Sequence, residues 1–419
     1  MRILINAYAC SPNMGSEPGM AWNWCVHLAN YCELHIITEG EFRDKIETTL
    51  PTLPQSKNMH FYYNPVSEKV RKMCWNQGDW RFYYYYRKWQ KETLEIAKKI
   101  IRQTHIDIIH QLNMVGFREP GYLWKIDKPL IWGPIAGIGS IPYNFLKGGG
   151  IKYTTFFLVK NFITKLQLQY SPRIKQIIKK ARYVITATPD TQLAIQNSYK
   201  IKPILINETG CFTREKILDA KKSNETFDIL WVGRFIYTKQ LKLALDTISQ
   251  LKNLRGIRFH IVGQAFTDEE TQTYHQYADS LGISNICQWY NFIPNKEVHL
   301  LMQKCHLFFF TSIFEATSTV ILEAITNNLP IVCFDRCGFG PIVSNEIGMK
   351  VPLTTPQQAI TDFAEKISFL YQHKNILQAL SQGCIKKAKE LSWENKVLKV
   401  IEMYNQILSH NDLFNNCKN

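Results

Sequence analysis

The stretch FFFTSIFEATSTVILEA, from Phe308 to Ala324, contains the local pattern that decides the fold. A run of aromatic residues ends at Thr311, a short loop follows, and a helix is predicted through Glu323. Glu315 and Glu323 stand among small or apolar residues, where a charge costs free energy unless it is paired or used. The stretch therefore predicts a buried strand leading into a helix, with two carboxylates at a candidate binding site.

The same alternation of short apolar strands and helices runs along most of the chain. Before residue 208 the predicted strands are RILINA, ELHIIT, MHFYYN, IDIIH, PLIWG, RYVITA and PILI. After residue 226 they are ILWVG, RFHIVG, NICQWY, LFFFTS and PIVCFD. Continuous apolar runs separated by helices are typical of parallel sheets covered on both faces. The predicted fold class is α/β, with two Rossmann-like, doubly wound domains facing across a cleft, the usual site for a ligand.

The domain boundaries follow from the point where this pattern stops. The segment TREKILDAKKSNETFD, between Glu208 and Asp228, is polar and charged and is predicted to be the linker. The first domain is predicted to span residues 1–212 and the second residues 226–390. Residues 391–419 are predicted to form a helix that packs back toward the first domain, followed by a frayed tail.

Charge restricts the classes of partner. The 419-residue chain has a net charge of +15, which implies an anionic partner: nucleic acid, a membrane surface or a phosphorylated substrate. Nucleic acid is the least supported of these, since no recognition motif or basic low-complexity tail is present. The N-terminus is expected to be a buried first strand and no stretch is long enough to span a membrane, so a cytoplasmic protein is expected. The 11 cysteines are scattered and indicate neither a zinc site nor disulfides.

Two cations and a glycine follow predicted strands of the second domain. Arg234 comes directly after a strand and Lys239 begins the next helix, an arrangement suited to a diphosphate. Gly263 ends the next strand, where a glycine lets a ligand approach the backbone. The alternative for the cations is a solvated surface, and for the glycine an ordinary turn.

The two glutamates can be placed along the same ligand. If the eight residues from Glu315 to Glu323 are helical, the carboxylates lie on one side and about 12 Å apart. The amides around Thr319 and Val320 would then point from a helix N-terminus toward a phosphate. The alternative is that Glu315 caps the helix and Glu323 forms a salt bridge.

Together these motifs resemble a known family. VGRF-x3-K, IVG, E-x7-E and A-x4-LPIV-x-FD look like the donor-binding half of GT-B glycosyltransferases, in particular the retaining family 4. GSEPGMAWNW and IWGPIAGIGSIP resemble acceptor-domain loops of bacterial members that build surface polysaccharides. The resemblance covers nearly the whole chain. It implies a GT-B fold and a hexosyltransferase that uses a nucleotide sugar of the UDP or GDP type.

The resemblance also implies roles for individual residues of the second domain. Arg234 and Lys239 would hold the donor diphosphate, Glu323 the ribose, and Glu315 the transferred sugar. Gly263, Thr319 and Val320 would complete the donor site.

In the first domain, the resemblance implies that Gly15 lets the backbone approach the β-phosphate. The residues implied on the acceptor side are Ser16, Glu17, Gly133 and Gly137.

The chain departs from the family pattern in three places. It has EATS at residues 315–318 where relatives have EGFG, and Lys239-Gln240 where they have Lys-Gly. Many relatives carry a histidine just past the fourth strand that meets the donor sugar. His110 is present at that strand end, either lining the site or as a satisfied strand-end histidine.

The chemistry expected of such a site needs no cofactor. Arg234, Lys239 and helix amides would stabilise the charge that builds on the departing diphosphate. One diphosphate oxygen would receive the acceptor's proton on the face it leaves, which gives retention without a covalent intermediate. Because no D-x-D motif occurs, we expect that no metal ion is required.

The middle of the chain suggests a membrane contact. No Asp or Glu occurs from Lys128 to Pro189. Read as a helix, this segment places Phe156, Val159, Ile163 and Leu166 on one face, away from Lys160, Thr164, Lys165 and Gln167. Such a helix can lie on an anionic membrane, which would suit a lipid-linked acceptor on the inner face of the plasma membrane. The alternative is a helix packed on its own domain.

Other functions remain open on the sequence. GIGSIP and GFGPIV superficially match a dinucleotide-binding motif, but neither opens the first strand–helix unit of the chain. Closer alternatives are another GT-B activity, such as a sugar-nucleotide epimerase or a phosphorylase, and a non-catalytic partner subunit.

Overall fold

The computed structural model describes residues 1–76, 79–212 and 225–416, with side chains described through Ser409. Most of the predicted linker lies outside the described residues, as do residues 417–419 of the predicted tail. The helical pattern in the sequence ends at Leu408, whereas the last helix continues to Asn416.

Two separate sheets are present, and every described strand pair in them is parallel. The first sheet contains seven strands: β1 (Arg2–Ala7), β2 (Glu33–Thr38), β3 (Met59–Tyr63), β4 (Ile108–Asn113), β5 (Leu130–Ile135), β6 (Ala181–Thr186) and β7 (Ile204–Leu205). The second contains six: β8 (Phe227–Val232), β9 (Ile257–Val262), β10 (Cys287–Tyr290), β11 (Leu307–Phe310), β12 (Ile331–Phe334) and β13 (Gly348–Val351). The prediction of two parallel α/β sheets is confirmed.

Helices separate most of these strands, as parallel pairing requires. In chain order they are α1 (Ser16–Leu28), α2 (Arg43–Thr49), α3 (Glu68–Trp75), α4 (Phe82–Gln103), α5 (Tyr143–Lys147), α6 (Ile151–Tyr170), α7 (Pro172–Lys180), α8 (Pro189–Tyr199), α9 (Leu241–Gln250), α10 (Asp268–Ser280), α11 (Asn295–Lys304), α12 (Thr319–Thr326), α13 (Pro356–Gln372), α14 (Lys374–Glu390) and α15 (Trp393–Asn416). Among the described helices, none combines the length and the apolar character needed to cross a bilayer.

Strand order places a switch point in each sheet. The first sheet has the order β3-β2-β1-β4-β5-β6-β7 and the second β10-β9-β8-β11-β12-β13. The connections therefore change direction between β1 and β4, and again between β8 and β11. In such sheets ligands bind outside the carboxyl ends of the strands at this point.

The chain divides into two compact units that are not contiguous in sequence. Unit 1 comprises residues 1–138, 162–209 and 393–419, and unit 2 comprises residues 139–161 and 210–392. Residues 139–161 precede the predicted boundary at 212 but contribute to the core of unit 2. There the Tyr237 hydroxyl donates to the Phe145 carbonyl, and the rings of Tyr153 and Tyr237 lie 4.6 Å apart.

The core of each unit explains why these segments form strands. Every residue of β4, β5, β11 and β12 is buried. The aromatic run Phe308–Phe310 lies in the second sheet between β8 and β12, with all three rings at most 1% exposed. Strands covered on both faces read as continuous apolar runs, which is the pattern that the sequence shows.

Candidate functional site

The carboxyl ends of β8 and β11 bring together the cations and one of the carboxylates of the quoted stretch. Arg234 follows β8, and Lys239 ends a 3₁₀ turn over residues 237–239. Glu315 lies in the loop between β11 and α12. These residues therefore lie at the switch point of the second sheet, where a ligand is expected.

A buried threonine fixes the turn that carries Lys239. The indole Nε1 of Trp231 donates to Thr311 Oγ1 at 2.9 Å, and Thr311 Oγ1 donates to the Lys239 carbonyl at 2.7 Å. Thr311 is fully buried, so no water can replace these two hydrogen bonds of its hydroxyl group. Thr311 is a positioning residue that the sequence analysis used only as the end of the aromatic run.

Lys239 and Glu315 contact one another. The Lys239 Nζ forms an ion pair with Glu315 Oε1, and the Ser312 hydroxyl donates to the same oxygen at 3.3 Å. Lys239 Nζ also lies 5.3 Å from the centroid of the Phe310 ring. Both charged side chains are about one-fifth exposed, at 17% and 20%, so they remain accessible to a ligand. The cation predicted for the phosphates and the carboxylate predicted for the sugar thus belong to one site.

The loop after β12 supports the backbone around Glu315. The Glu315 amide donates to Cys337 Sγ at 3.4 Å, and the Gly338 amide donates to the Ala316 carbonyl at 2.9 Å. A Cβ on Gly338 would lie 2.8 Å from the Ala316 carbonyl oxygen, closer than real contacts allow. EATS therefore adopts a supported loop without the glycines found in relatives, and the residue that must be glycine is Gly338.

The geometry assumed for the two glutamates needs correction. α12 begins only at Thr319, with Ser318 as its N-cap residue, so four of the eight steps from Glu315 to Glu323 are not helical. The predicted 12 Å helical spacing therefore does not apply. Glu315 is also not the helix cap that the sequence left open as an alternative.

α12 itself presents the predicted donors and its own carboxylate. Thr319 and Val320 are its first two residues, whose amides have no partner within a helix. Glu323 lies one turn further on, and its Oε1 accepts a hydrogen bond from Asn295 Nδ2 at 3.2 Å. Within the described chain Glu323 makes no ion pair, which excludes the salt bridge left open as its alternative role.

Arg234 and Gly263 differ in what surrounds them. The Arg234 side chain is exposed, and its guanidinium has no partner among the described residues. Gly263 has a φ of +133°, and a Cβ there would lie 1.9 Å from the Gly233 carbonyl oxygen. The packing of the neighbouring backbone thus explains Gly263 without a ligand, whereas Arg234 remains free for an anion.

Gln240 stands at the position where the family pattern has a glycine. Its φ of +54° and ψ of +44° are left-handed, in the position just before α9. A glycine adopts this conformation without strain, while a glutamine pays a conformational cost. The turn after Lys239 therefore has a left-handed residue where the family pattern has a glycine.

In unit 1, His110 is a buried structural residue. It is fully buried, with Nε2 2.7 Å from the Gly133 carbonyl oxygen and Nδ1 2.6 Å from the Tyr404 hydroxyl. Since a carbonyl only accepts, Nε2 carries the proton and Nδ1 accepts from Tyr404. Burial lowers the pKa of His110 to about 4, so the ring is neutral at pH 7. No ring nitrogen is left for a substrate, and the catalytic role predicted for His110 is corrected to the alternative.

Two glycines predicted on the acceptor side have different surroundings. Gly133 has a φ of +128°, and a Cβ there would lie 2.1 Å from the Ile185 carbonyl oxygen on the adjacent strand. Gly137 has a φ of +96°, with the nearest group, Arg118 Nη1, 3.8 Å from the position of its Cβ. Packing accounts for Gly133, while Gly137 needs glycine only for its backbone conformation.

Gly15 is not explained by packing. It precedes α1 with a φ of −87°, and nothing lies within 4 Å of the position of a Cβ. Neither its conformation nor its neighbours within the described chain require a glycine. Ser16 follows with a φ of +56° and is exposed. Open space beside this backbone is what the predicted approach of a phosphate needs.

Glu17 joins the first turn of α1 to a loop at the switch point of unit 1. Its Oε1 accepts a hydrogen bond from the Val115 amide at 3.1 Å, which connects α1 with the loop after β4. Its Oε2 is buried without a hydrogen-bond partner among the described groups. Burial raises the pKa of Glu17 to about 7, and this outweighs the Val115 hydrogen bond. A carboxyl that is half protonated near neutral pH can both donate to and accept from a hydroxyl.

Glu17 and Ser16 line a cavity of about 190 Å³ within unit 1. Glu39, Glu41 and the half-exposed ring of Trp75 also line this cavity, and Trp75 Nε1 donates to Glu41 Oε1 at 2.8 Å. An aromatic face beside carboxylates suits a ligand rich in hydroxyl groups. Trp75 and Glu41 were not predicted, because nothing local in the sequence marks them as neighbours of Glu17.

Comparison with known proteins gives one family match. Residues 213–391 match the model of the family described as glycosyl transferases group 1. No curated protein matches the sequence of the chain.

Solved structures resemble the chain over nearly its full length. HepE of Anabaena in complex with UDP has a TM-score of 0.62 at 14% identity, covering 97% of this chain and 100% of that one. WaaG, a glycosyltransferase involved in lipopolysaccharide biosynthesis, has a TM-score of 0.60 at 15% identity over 96% and 99%. Sucrose-phosphate synthase of Thermosynechococcus elongatus has a TM-score of 0.65 at 14% identity over 98% and 99%. At these identities the likeness establishes the fold: two parallel sheets with flanking helices, as in GT-B glycosyltransferases.

Proposed function

We propose that this protein is a retaining, metal-independent hexosyltransferase of family 4 that acts in surface-polysaccharide biosynthesis. Its donor would be a UDP or GDP sugar and its acceptor a saccharide or a lipid-linked saccharide. The observation that carries the proposal is the Lys239–Glu315 pair at the switch point of the second sheet, directly before the first turn of α12. A match of residues 213–391 to group 1 glycosyl transferases supports the same reading of this unit.

Each donor residue has a defined task in this proposal. The exposed guanidinium of Arg234 and the ammonium of Lys239 bind diphosphate oxygens, and the amides of Thr319 and Val320 add donors from a helix N-terminus. Glu323 accepts hydrogen bonds from the ribose hydroxyls. Glu315, which already lies beside Lys239, accepts from a hydroxyl of the sugar. Cations beside both phosphates lower the energy of the leaving diphosphate as its bond to the sugar breaks.

The acceptor is proposed to bind in the cavity of unit 1 that contains Glu17. Trp75 supplies an aromatic face and Glu17 a carboxyl able to orient a hydroxyl. In the transfer step the acceptor oxygen bonds to the anomeric carbon as the carbon–diphosphate bond breaks. The acceptor proton passes to the departing diphosphate oxygen on the same face, so no enzyme nucleophile is needed and the configuration is retained.

A nucleotide-binding measurement tests the donor site. Thermal unfolding is followed with UDP, GDP, ADP, TDP and CMP in EDTA, since a ligand of the folded state raises the melting temperature. We expect one diphosphate to raise it, and Arg234→Ala and Glu323→Ala to abolish the shift. Arg255→Ala is the matched control, because Arg255 is exposed but precedes β9, at the amino edge of the sheet.

The outcomes separate this proposal from its alternatives. A shift that is unchanged in both variants would refute the donor site. A shift that appears only with a divalent ion would refute metal independence alone. Donor hydrolysis or epimerisation without transfer to any saccharide would favour the epimerase or phosphorylase alternative. Transfer with inverted anomeric configuration, read by NMR of the product, would refute retention.

We also propose that α6 binds the surface of an anionic membrane. Its apolar side chains Phe156, Val159 and Phe162 are between 57% and 62% exposed, and Ile163 and Leu166 are also exposed. An ordinary helix of a soluble protein buries most of its apolar side chains, whereas α6 leaves these five exposed.

Another face of α6 packs on the protein and is mixed in character, since Phe157 and Leu168 are buried there together with Thr164. Thr164 is buried and accepts from Arg118 Nη2 at 2.5 Å, and Gln167 accepts from Arg118 Nε at 3.0 Å. Lys160 Nζ lies 4.8 Å from the centroid of the Phe314 ring. The helix therefore packs on the protein through one face, as the alternative predicted, and leaves the apolar side chains of its other face exposed. With no acidic residue from 128 to 189, the surrounding charge favours anionic lipid.

Vesicle flotation tests the membrane contact. We expect the chain to float with vesicles containing phosphatidylglycerol and not with pure phosphatidylcholine, and Phe156→Ser with Phe162→Ser to abolish flotation. Leu193→Ser is the control, since Leu193 is 55% exposed on α8. Equal flotation of the parent and the double variant, or none by the parent, would refute the contact.

A further inference from the structure

Three side chains of the metal-ligand type meet at the amino end of β2. Glu33 and His35 are two residues apart on β2, so their side chains project from the same face of the sheet. His60 lies directly opposite His35 on β3 in the strand register. This group lies at the edge of the sheet away from Glu17, because Glu17 lies beyond the carboxyl ends of the strands.

The spacing of the three side chains matches a tetrahedral site. Glu33 Oε1 lies 3.4 Å from His35 Nε2 and 3.3 Å from His60 Nε2. All three ligand atoms lie within 4.8 Å of one another. Zinc bonds of about 2.0–2.2 Å at tetrahedral angles place neighbouring ligand atoms about 3.3–3.6 Å apart. The two histidine side chains need to move only slightly toward each other to bind the same ion.

A buried nitrogen points independently to a ligand. The His35 side chain is 4% exposed, and its Nε2 is buried without a hydrogen bond. Its Nδ1 lies 3.0 Å from the Tyr62 hydroxyl. Glu33 Oε1 lies 3.4 Å from His35 Nε2 without forming a hydrogen bond to it, and a metal ion bound by both atoms would satisfy them. Metal binding through Nε2 places the proton on Nδ1, which can then donate to the Tyr62 hydroxyl.

The groups around the three ligands already orient them. Glu33 Oε2 accepts from Arg2 Nε at 2.9 Å, which leaves Oε1 turned toward the histidines. The Tyr62 hydroxyl fixes the His35 ring. Such outer contacts are usual around protein metal ligands.

We propose that Glu33, His35 and His60 bind one Zn²⁺ ion, with the fourth position open to water or an external ligand. Imidazole nitrogens and a carboxylate form a ligand set that zinc accepts. The ion links β3, the edge strand of the first sheet, to β2. No local sequence pattern marks this site, because His60 is distant along the chain from the other two residues.

Metal analysis of the folded, tag-free chain tests the site. After dialysis against Zn²⁺ we expect one bound equivalent, which His60→Ala reduces at least tenfold in affinity. His105→Ala is the matched control, since His105 also contacts a carboxylate, that of Asp107 at 2.9 Å, but has no third ligand nearby among the described residues. His60 is 44% exposed on its side chain, so its removal is expected to leave the fold intact. The melting temperature in EDTA checks this, and Glu33→Gln gives a second variant.

Spectroscopy separates this site from the cysteines. The Co²⁺ form is expected to lack a thiolate charge-transfer band. No bound zinc, unchanged binding in both His60→Ala and Glu33→Gln, or a thiolate band from Co²⁺ would overturn the proposal.

Discussion

Replacing Glu17 by Gln isolates the effect of one buried carboxyl group. The amide has the same shape, and its oxygen can still accept from the Val115 amide, as Glu17 Oε1 does at 3.1 Å. The substitution removes only the ability of the side chain to ionise. Because burial raises the pKa of Glu17 to about 7, the folded chain binds a proton there that the unfolded chain releases at lower pH.

The sign and the magnitude follow from this difference. A glutamate in the unfolded chain has a pKa of about 4.3. The contribution of Glu17 to folding is therefore fully present below about pH 4.3 and is lost as pH rises through about 7. A pKa difference of this size corresponds to about 4 kcal/mol between the two ends of the range. For a domain of roughly 150–250 residues, that is about 8–16 °C in melting temperature.

The assay is thermal unfolding of the parent and Glu17→Gln at pH 5 and pH 8. We expect the two proteins to melt within a few degrees of each other at pH 5, and the Gln variant to melt higher at pH 8. Glu92→Gln, on the exposed face of α4, controls for the loss of a charge and should show no such change. A difference between parent and Glu17→Gln that is the same at both pH values would refute the reasoning.

Three further predictions concern a tyrosine and two glycines. Tyr404→Phe leaves the buried Nδ1 of His110 without its donor, so urea unfolding should show a loss of about 1–3 kcal/mol. Gly263→Ala places a Cβ 1.9 Å from the Gly233 carbonyl oxygen at a φ of +133° and should lower the melting temperature strongly. Gly15→Ala meets no atom within 4 Å and should leave the melting temperature unchanged while weakening nucleoside diphosphate binding. Equal melting temperatures for the two glycine variants, or a stable Tyr404→Phe, would contradict these expectations.

The sequence was sufficient to predict the two sheets, but not to predict which segments belong to each compact unit. Apolar runs such as Phe308–Phe310 identify buried parallel strands, because only residues covered on both faces can be apolar at every position. The same runs say nothing about which core a helix joins. Residues 139–161 precede the last strands of the first sheet, yet they belong to unit 2, where Phe145 and Tyr237 meet.

Contacts between distant residues explain most of what the sequence missed at the site. His110 and Tyr404 are 294 positions apart, so the saturation of the His110 ring could not be predicted from the strand that carries it. Local patterns did identify Arg234, Lys239 and Glu315 as residues at strand ends. They did not show that Lys239 and Glu315 pair with each other, because that contact depends on the adjacency of β8 and β11.

Because of this ion pair, Lys239 and Arg234, the two cations of the proposed donor site, have different surroundings. Lys239 is neutralised by Glu315 and lies against Phe310, so its removal would leave a partly buried carboxylate without its cation. A loss of nucleotide binding in Lys239→Ala would therefore combine lost attraction, new repulsion and a disturbed loop. Arg234 is exposed and contacts no described residue through its guanidinium, so its removal changes only what the site offers to an anion. Arg234 is for this reason the residue through which the charge of the donor site is measured most directly.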